Sequence, residues 1–180
     1  MSQKTAIVTG GTRGVGLAIT QQLIKLDYKV VICSRNNLEI RSTLNLLNKT
    51  KRVAYGIKTD ISKFSHCKKL VDFANQKLGP IQVLVNNAGI YGPIGPLEDN
   101  IPDHWLEAIK VNLLGTVYCS QLVIPQMKRR NYGKIINLCG GGAGGKNSLP
   151  RFSAYYTSKM AIAGFTEVLA EETKGDNIRV

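Results

Sequence analysis

Lys4-Thr5-Ala6-Ile7-Val8-Thr9-Gly10-Gly11-Thr12-Arg13-Gly14-Val15-Gly16-Leu17-Ala18-Ile19 decides the fold. The β-branched run Ala6-Ile7-Val8 reads as a buried strand, and a helical apolar pattern (Val15, Leu17, Ile19, Leu23, Ile24) starts directly behind the glycines. Between strand and helix lies a tight turn. Glycines at 10, 14 and 16 leave no side chain between the backbone and whatever sits above it, and the first amides of a helix have no intrahelical partner. Such amides, with the helix dipole behind them, favour an anion. The spacing is Gly-x-x-x-Gly-x-Gly, not the commoner Gly-x-Gly-x-x-Gly, so the stretch by itself fits either an anion site or a glycine-rich turn without a ligand.

Outward from this unit, the pattern repeats. A first helix is expected over about 14–26, a strand over Tyr28-Lys29-Val30-Val31-Ile32-Cys33, and a helix carrying Leu38, Ile40, Leu44 and Leu47. A third strand, 53–58, precedes a helix expected to be capped by Ser62 and ended by Gly79-Pro80. A fourth strand, 81–85, opens into Asn86-Asn87-Ala88-Gly89 and a Gly/Pro-rich loop. One long helix is expected over about 102–130, bent in its last turns by Pro125. A fifth strand over 134–138, the glycines 140–142 and 144–145, and a helix over about 153–174 complete the run, and Asn177-Ile178-Arg179-Val180 begins a sixth strand. Alternating strands and helices imply right-handed crossovers, and hence an α/β, doubly wound, Rossmann-type parallel sheet in the order 3-2-1-4-5, with the sixth strand begun at the end. In such sheets ligands sit beyond the carboxyl ends of the strands, where strand order reverses.

Composition sets the outer limits. A chain of 180 residues is read as one domain able to bury roughly 70% of its unfolded surface. The start of the chain runs directly into the first strand, and no apolar run approaches the roughly 20 residues of a membrane span, so the expected location is cytoplasmic, with no membrane partner. Cys33, Cys67, Cys119 and Cys139 are scattered, which implies reduced thiols and neither a disulfide framework nor a metal site. The net charge of +12 is spread over helix ends such as Lys128-Arg129-Arg130 without interleaved aromatics. Such dispersal argues against nucleic acid as a partner and leaves attraction for a phosphorylated cofactor.

Several motifs then coincide in register over nearly the whole chain: Thr9-Gly10-x-x-x-Gly14-x-Gly16, Asp60-Ile61, Asn86-Asn87-Ala88-Gly89, Asn112 and Tyr155-x-x-x-Lys159. Together they resemble the short-chain dehydrogenase/reductase family. The resemblance implies a nicotinamide cofactor over the glycine turn, contacted by Thr9, Gly10, Thr12, Arg13, Gly14, Val15, Gly16, Asp60, Ile61, Asn86, Ala88 and Gly89, and hydride exchange with a small carbonyl or alcohol substrate. It implies Tyr155 as proton donor and acceptor, Lys159 on the nicotinamide ribose, and Asn112 supporting the lysine through water. It also implies a homodimer or homotetramer built on the 102–130 and 153–174 helices.

The residues agree with that chemistry. Tyr155 and Lys159 are four apart on one helix face, and a neighbouring ammonium is expected to lower the phenol from its ordinary pKa near 10. The +4 residue of Tyr156 is Met160, so the Tyr-x-x-x-Lys spacing belongs to Tyr155 and not to its neighbour. At the end of the second strand, where an acidic residue would receive the ribose hydroxyl of NAD, the chain has Ser34-Arg35, and Arg13 sits in the glycine turn. Two guanidinium groups and a hydroxyl suit a 2′-phosphate, so NADP(H) is expected over NAD(H).

Two features depart from the family pattern. A serine is expected after the fifth strand, and this chain has Cys139, a weak donor, so either Cys139 or Ser148 takes the serine's part, or Cys139 is merely a structural thiol. The sixth strand also stops as it begins, which reads as a C-terminally shortened member with strand five left as an open edge and most of the substrate-covering segment absent. A dinucleotide-binding protein with little or no turnover therefore stands as the alternative.

Overall fold

The three central strands, Lys4–Thr9, Tyr28–Ser34 and Val83–Asn86, are buried along most of their length, which is why they read as unbroken apolar runs instead of alternating ones. The computed structural model describes residues 3–140 and 149–180. Its elements are β1 (Lys4–Thr9), α1 (Gly14–Lys25), β2 (Tyr28–Ser34), α2 (Asn37–Leu47), β3 (Ala54–Lys58), α3 (Phe64–Leu78), β4 (Val83–Asn86), α4 (Pro102–Ile109), α5 (Gly115–Arg130), β5 (Gly133–Asn137), α6 (Ser153–Glu172) and β6 (Ile178–Arg179). The strands form one parallel sheet in the order β3-β2-β1-β4-β5-β6. The order reverses between β1 and β4, so the carboxyl ends of these two strands, Thr9 and Asn86, open the crevice in which a ligand is expected.

Side-chain alternation along the strands divides the core into two layers. Ile7, Val31, Leu84 and Ile135 pack toward α3 and α5 with Leu70, Val123 and Met127, and Ala6, Val8, Val30, Ile32, Val83 and Val85 pack toward Leu23 and Ile24 of α1 and Leu44 and Leu47 of α2. Residues 102–130 are long and apolar enough for a membrane span by length and composition, but Val111, Cys119, Val123 and Met127 are buried in the first of these layers, as expected of an internal helix.

Three local expectations need correction. Ser62 does not cap α3, because its amide and hydroxyl both go back to Asp60 Oδ1, at 3.2 and 2.7 Å, and the cap position falls to Lys63 without a side-chain bond. The long 102–130 helix is not one continuous α-helix: a π-helical turn, Lys110–Leu114, interrupts it, and α5 then runs on through Pro125. In the π turn the extra residue turns Val111 and Asn112 inward, and both are buried. The edge of β5 is not wholly open either: Ile178 and Arg179 pair with Gly133 and Lys134, and Lys128 of α5 holds Asp176 at 2.7 Å just before β6.

Candidate active site

The glycine turn works because two of its residues take backbone conformations that suit glycine and a third has no room for a side chain. Gly10 and Gly14 have φ of +63° and +53°. A Cβ on Gly16 would collide with the Gly10 carbonyl and Asn87 Nδ2, so α1 can start this close to β4 only with glycine there. Asn87 pins the turn: its side-chain amide donates to Thr9 O at 2.8 Å and Gly10 O at 3.2 Å, while Thr9 Oγ1 accepts from the amides of Asn87 and Ala88 at 3.0 and 3.1 Å. Each bond contributes about 1 kcal/mol net, and together they fix the two strand ends as one unit. No side chain caps α1 at Arg13, whereas α2 is capped by Asn36. The α1 amides therefore face the crevice with their bonding capacity free, which fits the pyrophosphate of a dinucleotide.

Above the turn a cleft of about 420 Å³ is lined by Gly10, Thr12, Arg13, Val15, Gly16, Ser34, Arg35, Asp60, Ile61, Ala88 and Gly89. A second, of about 430 Å³, is lined by Gly14, Val15, Tyr91, Leu138, Cys139, Tyr155 and Lys159. Both share Val15, Asn87, Gly89 and Ile90, so they form a single groove running from the end of β2, across the glycine turn, to Tyr155. Most of the residues expected at a cofactor are thus brought together. Thr9 lies beneath the groove as a brace. Asn86 turns away from it: the side chain is buried, donating to Ser120 Oγ at 3.1 Å and Asn137 Oδ1 at 2.9 Å. Ser148 and glycines 141, 142, 144 and 145 lie outside the described residues.

Asp60 is held as an anion. Burial raises its pKa, but bonds from Ser62 and the charges of Lys63 and Arg35 outweigh this and bring it below the ordinary carboxylate value. Asn112 occupies the π turn with its side chain fully engaged: Oδ1 accepts from Ile90 N at 2.8 Å, and Nδ2 donates to Ile90 O at 2.8 Å and Ser158 Oγ at 2.9 Å. Ser158 in turn donates to Tyr155 O at 2.7 Å, so Asn112 ties the loop after β4 to the part of α6 that carries Tyr155 and Lys159. The main-chain carbonyl of Asn112 accepts from Thr116 Oγ1 at 2.8 Å.

The Tyr155–Lys159 pair corrects the expectation of a lowered phenol. Lys159 Nζ donates to Leu138 O at 2.6 Å and stands 5.8 Å from the centroid of the Tyr155 ring. With the ammonium held on that carbonyl, burial and then the Tyr91 phenol push the Tyr155 pKa up from 10.0, while burial lowers that of Lys159 against a smaller upward effect of Cys139. Cys139 is exposed at the rim, and the other three cysteines are buried.

Three residues of the groove were not singled out for a role in the sequence. Asn87 sits inside a quoted motif, but only geometry separates it from Asn86. Tyr91 packs its ring at a tilt against Tyr155 and edge-to-face against Phe152, with centroids 5.1 and 5.9 Å apart, and no periodicity announces it. Glu39 stands at the end of β2, accepting from Ser34 Oγ and Thr12 Oγ1. The Asn36-x-x-Glu39 spacing of a capping box could have drawn attention to it. Glu39 also revises the 2′-phosphate corner, because the Ser34 hydroxyl is already committed.

Known proteins agree with this arrangement. The family model for short chain dehydrogenases matches residues 4–180. A dehydrogenase/reductase SDR family member 4 from Caenorhabditis elegans is 36% identical over 178 residues, covering 98% of this chain and 68% of the relative. A metagenomic short-chain oxidoreductase solved in complex with NADP superposes with a TM-score of 0.93 at 30% identity, over 99% of this chain and 80% of that one. An NAD+-bound xylitol dehydrogenase superposes with a TM-score of 0.93 at 27% identity, over 99% and 68%. The chain spans between 51% and 68% of the length of the curated relatives it matches. With the switch-point groove, the glycine turn and the Tyr155/Lys159 pair on one sheet edge, the chain belongs to the short-chain dehydrogenase/reductase family of oxidoreductases.

Proposed function

We propose that the chain serves NADP(H)-dependent hydride transfer to and from a small carbonyl or alcohol substrate, with Tyr155 as general acid and base. The observation that carries this reading is that one groove joins the uncapped start of α1 to Tyr155 and Lys159. When bound, the nicotinamide supplies or accepts the hydride; the chain's own residues do the rest. The α1 amides and glycines 10, 14 and 16 hold the pyrophosphate. Arg13 and Arg35, both on the first cleft, supply positive charge at the 2′ corner, which supports NADP(H) over NAD(H). A phenol raised by burial stays protonated at neutral pH, the form needed to donate to a carbonyl oxygen during reduction. Lys159, once it leaves the Leu138 carbonyl, orients the ribose and favours phenolate in the reverse direction. Cys139 borders the same cleft, where its thiol would contact the reacting oxygen.

The experiment is Tyr155→Phe, with turnover of NADPH against a carbonyl panel and cofactor affinity measured side by side. Loss of roughly 10²-fold or more in kcat with affinity kept supports the reading. The weak donor Cys139 favours a second reading, a dinucleotide-binding protein with little turnover, for which wild type and variant would be equally inactive while still binding cofactor. We further propose a homodimer or homotetramer through the outer faces of α5 and α6, where Val168 lies exposed, to be checked by sedimentation.

A further inference from the structure

Glu39 reaches from the first turn of α2 into the corner of the groove where β2 ends. Its Oε2 accepts from Ser34 Oγ and from Thr12 Oγ1, each at 3.1 Å, and so bridges the end of β2 and the glycine turn with one carboxylate oxygen. A hydroxyl has a single proton to donate. With both protons directed at Glu39, neither Ser34 nor Thr12 has one for another acceptor, and Ser34 Oγ further accepts from Asn36 N at 3.2 Å. Among the described residues Glu39 forms no ion pair, so neither Arg13 nor Arg35 cancels its charge by contact, although all three line the same cleft.

We propose that Glu39 is a cofactor-selecting residue that opposes Arg13 and Arg35: its carboxylate competes with a 2′-phosphate for the Ser34 and Thr12 protons and repels it, narrowing the preference for NADPH over NADH. A ribose 2′-hydroxyl meets no such penalty, because it is uncharged and can donate to the remaining lone pairs of the carboxylate. The inference rests on the dinucleotide reading above. A residue that only braced α2 and the glycine turn would place no opposing charge at the 2′ position, so removing its charge while keeping its shape would not separate the two cofactors.

Calorimetric titration of wild type and Glu39→Gln with NADPH, NADH, adenosine 2′,5′-bisphosphate and AMP tests this without recourse to turnover. Removing the charge while keeping the side chain's shape should tighten NADPH and the bisphosphate by roughly tenfold and change NADH and AMP by less than about threefold. Glu39→Ala, which removes charge and brace together, should show the same selective gain on top of any general loss. Equal shifts for phosphorylated and unphosphorylated ligands, or a selective loss for NADPH, would overturn the assignment while leaving the dinucleotide site standing. Failure of wild type to bind any of the four would remove the site itself, and the assignment with it.

Discussion

Gly16→Ala probes the turn on which the whole reading depends. A methyl group there would run into the Gly10 carbonyl and Asn87 Nδ2, partners of a hydrogen bond 3.2 Å long. Neither atom is the free end of a flexible chain: one is backbone, and the other belongs to an amide that also holds Thr9 O at 2.8 Å. Overpacking of this kind costs about 1–3 kcal/mol, and the displaced bond adds about 1 kcal/mol. The total of roughly 2–4 kcal/mol corresponds to a Tm lower by about 4–16 °C for a chain of this size. Gly164→Ala is the control. Gly164 is exposed within α6, a Cβ there meets nothing within 4 Å, and its φ is ordinary, so alanine should stabilise by about 0.5–1 kcal/mol. Thermal unfolding of both variants, with NADPH titration of each, separates the two effects. Unchanged Tm and NADPH affinity in Gly16→Ala would refute the claim that this turn is sterically closed and holds the cofactor.

Arg35→Ala should weaken NADPH by roughly 10- to 100-fold in direct titration and leave NADH nearly unchanged, since one charged hydrogen bond is worth about 1.5–3 kcal/mol. Cys139→Ser should raise kcat by about tenfold or more, because a hydroxyl donates better than a thiol to a developing oxyanion; an unchanged or lower kcat removes Cys139 from the serine's part. The fully buried Cys33 thiol is pushed up to about 12, chiefly by burial, from 9.0, so the folded chain keeps a proton that the unfolded chain releases. Its contribution is present in full below pH 9 and is lost as pH rises toward 12. The loss amounts to on the order of 4 kcal/mol. Denaturant unfolding across that range should show a slope that Cys33→Ala reduces by one proton.

The unit from β1 to α1 is legible in the sequence because its constraints are local. Gly10 and Gly14 adopt the left-handed conformations that glycine favours, and the apolar runs of β1 and β2 are the mark of strands covered on both faces. Tyr155 and Lys159 are legible because helical spacing alone puts them on one face. The orientation of the lysine is not, since the Leu138 carbonyl that draws it away from the phenol lies 21 residues back, on the far side of a loop. The π turn at Lys110–Leu114 leaves no periodic trace, so the unbroken apolar pattern suggested one continuous helix. Ser62 illustrates local competition, with the Asp60 carboxylate offering its amide and hydroxyl a closer acceptor than the helix start could. Glu39 was legible only as a capping-box residue: at the third position of α2 a carboxylate can turn back to its own helix cap, and only the tertiary approach of Thr12 and Ser34 directs it into the groove.

The groove over the glycine turn is proposed to bind a phosphorylated nicotinamide dinucleotide. Parallel titration of the 180-residue chain with NADPH and NADH, following binding and cooperative unfolding together, tests it most directly. Saturable binding of both is expected, tighter for NADPH, with a Tm that rises with ligand concentration as binding to the folded state requires. A cooperatively folded chain whose Tm neither ligand moves would contradict it.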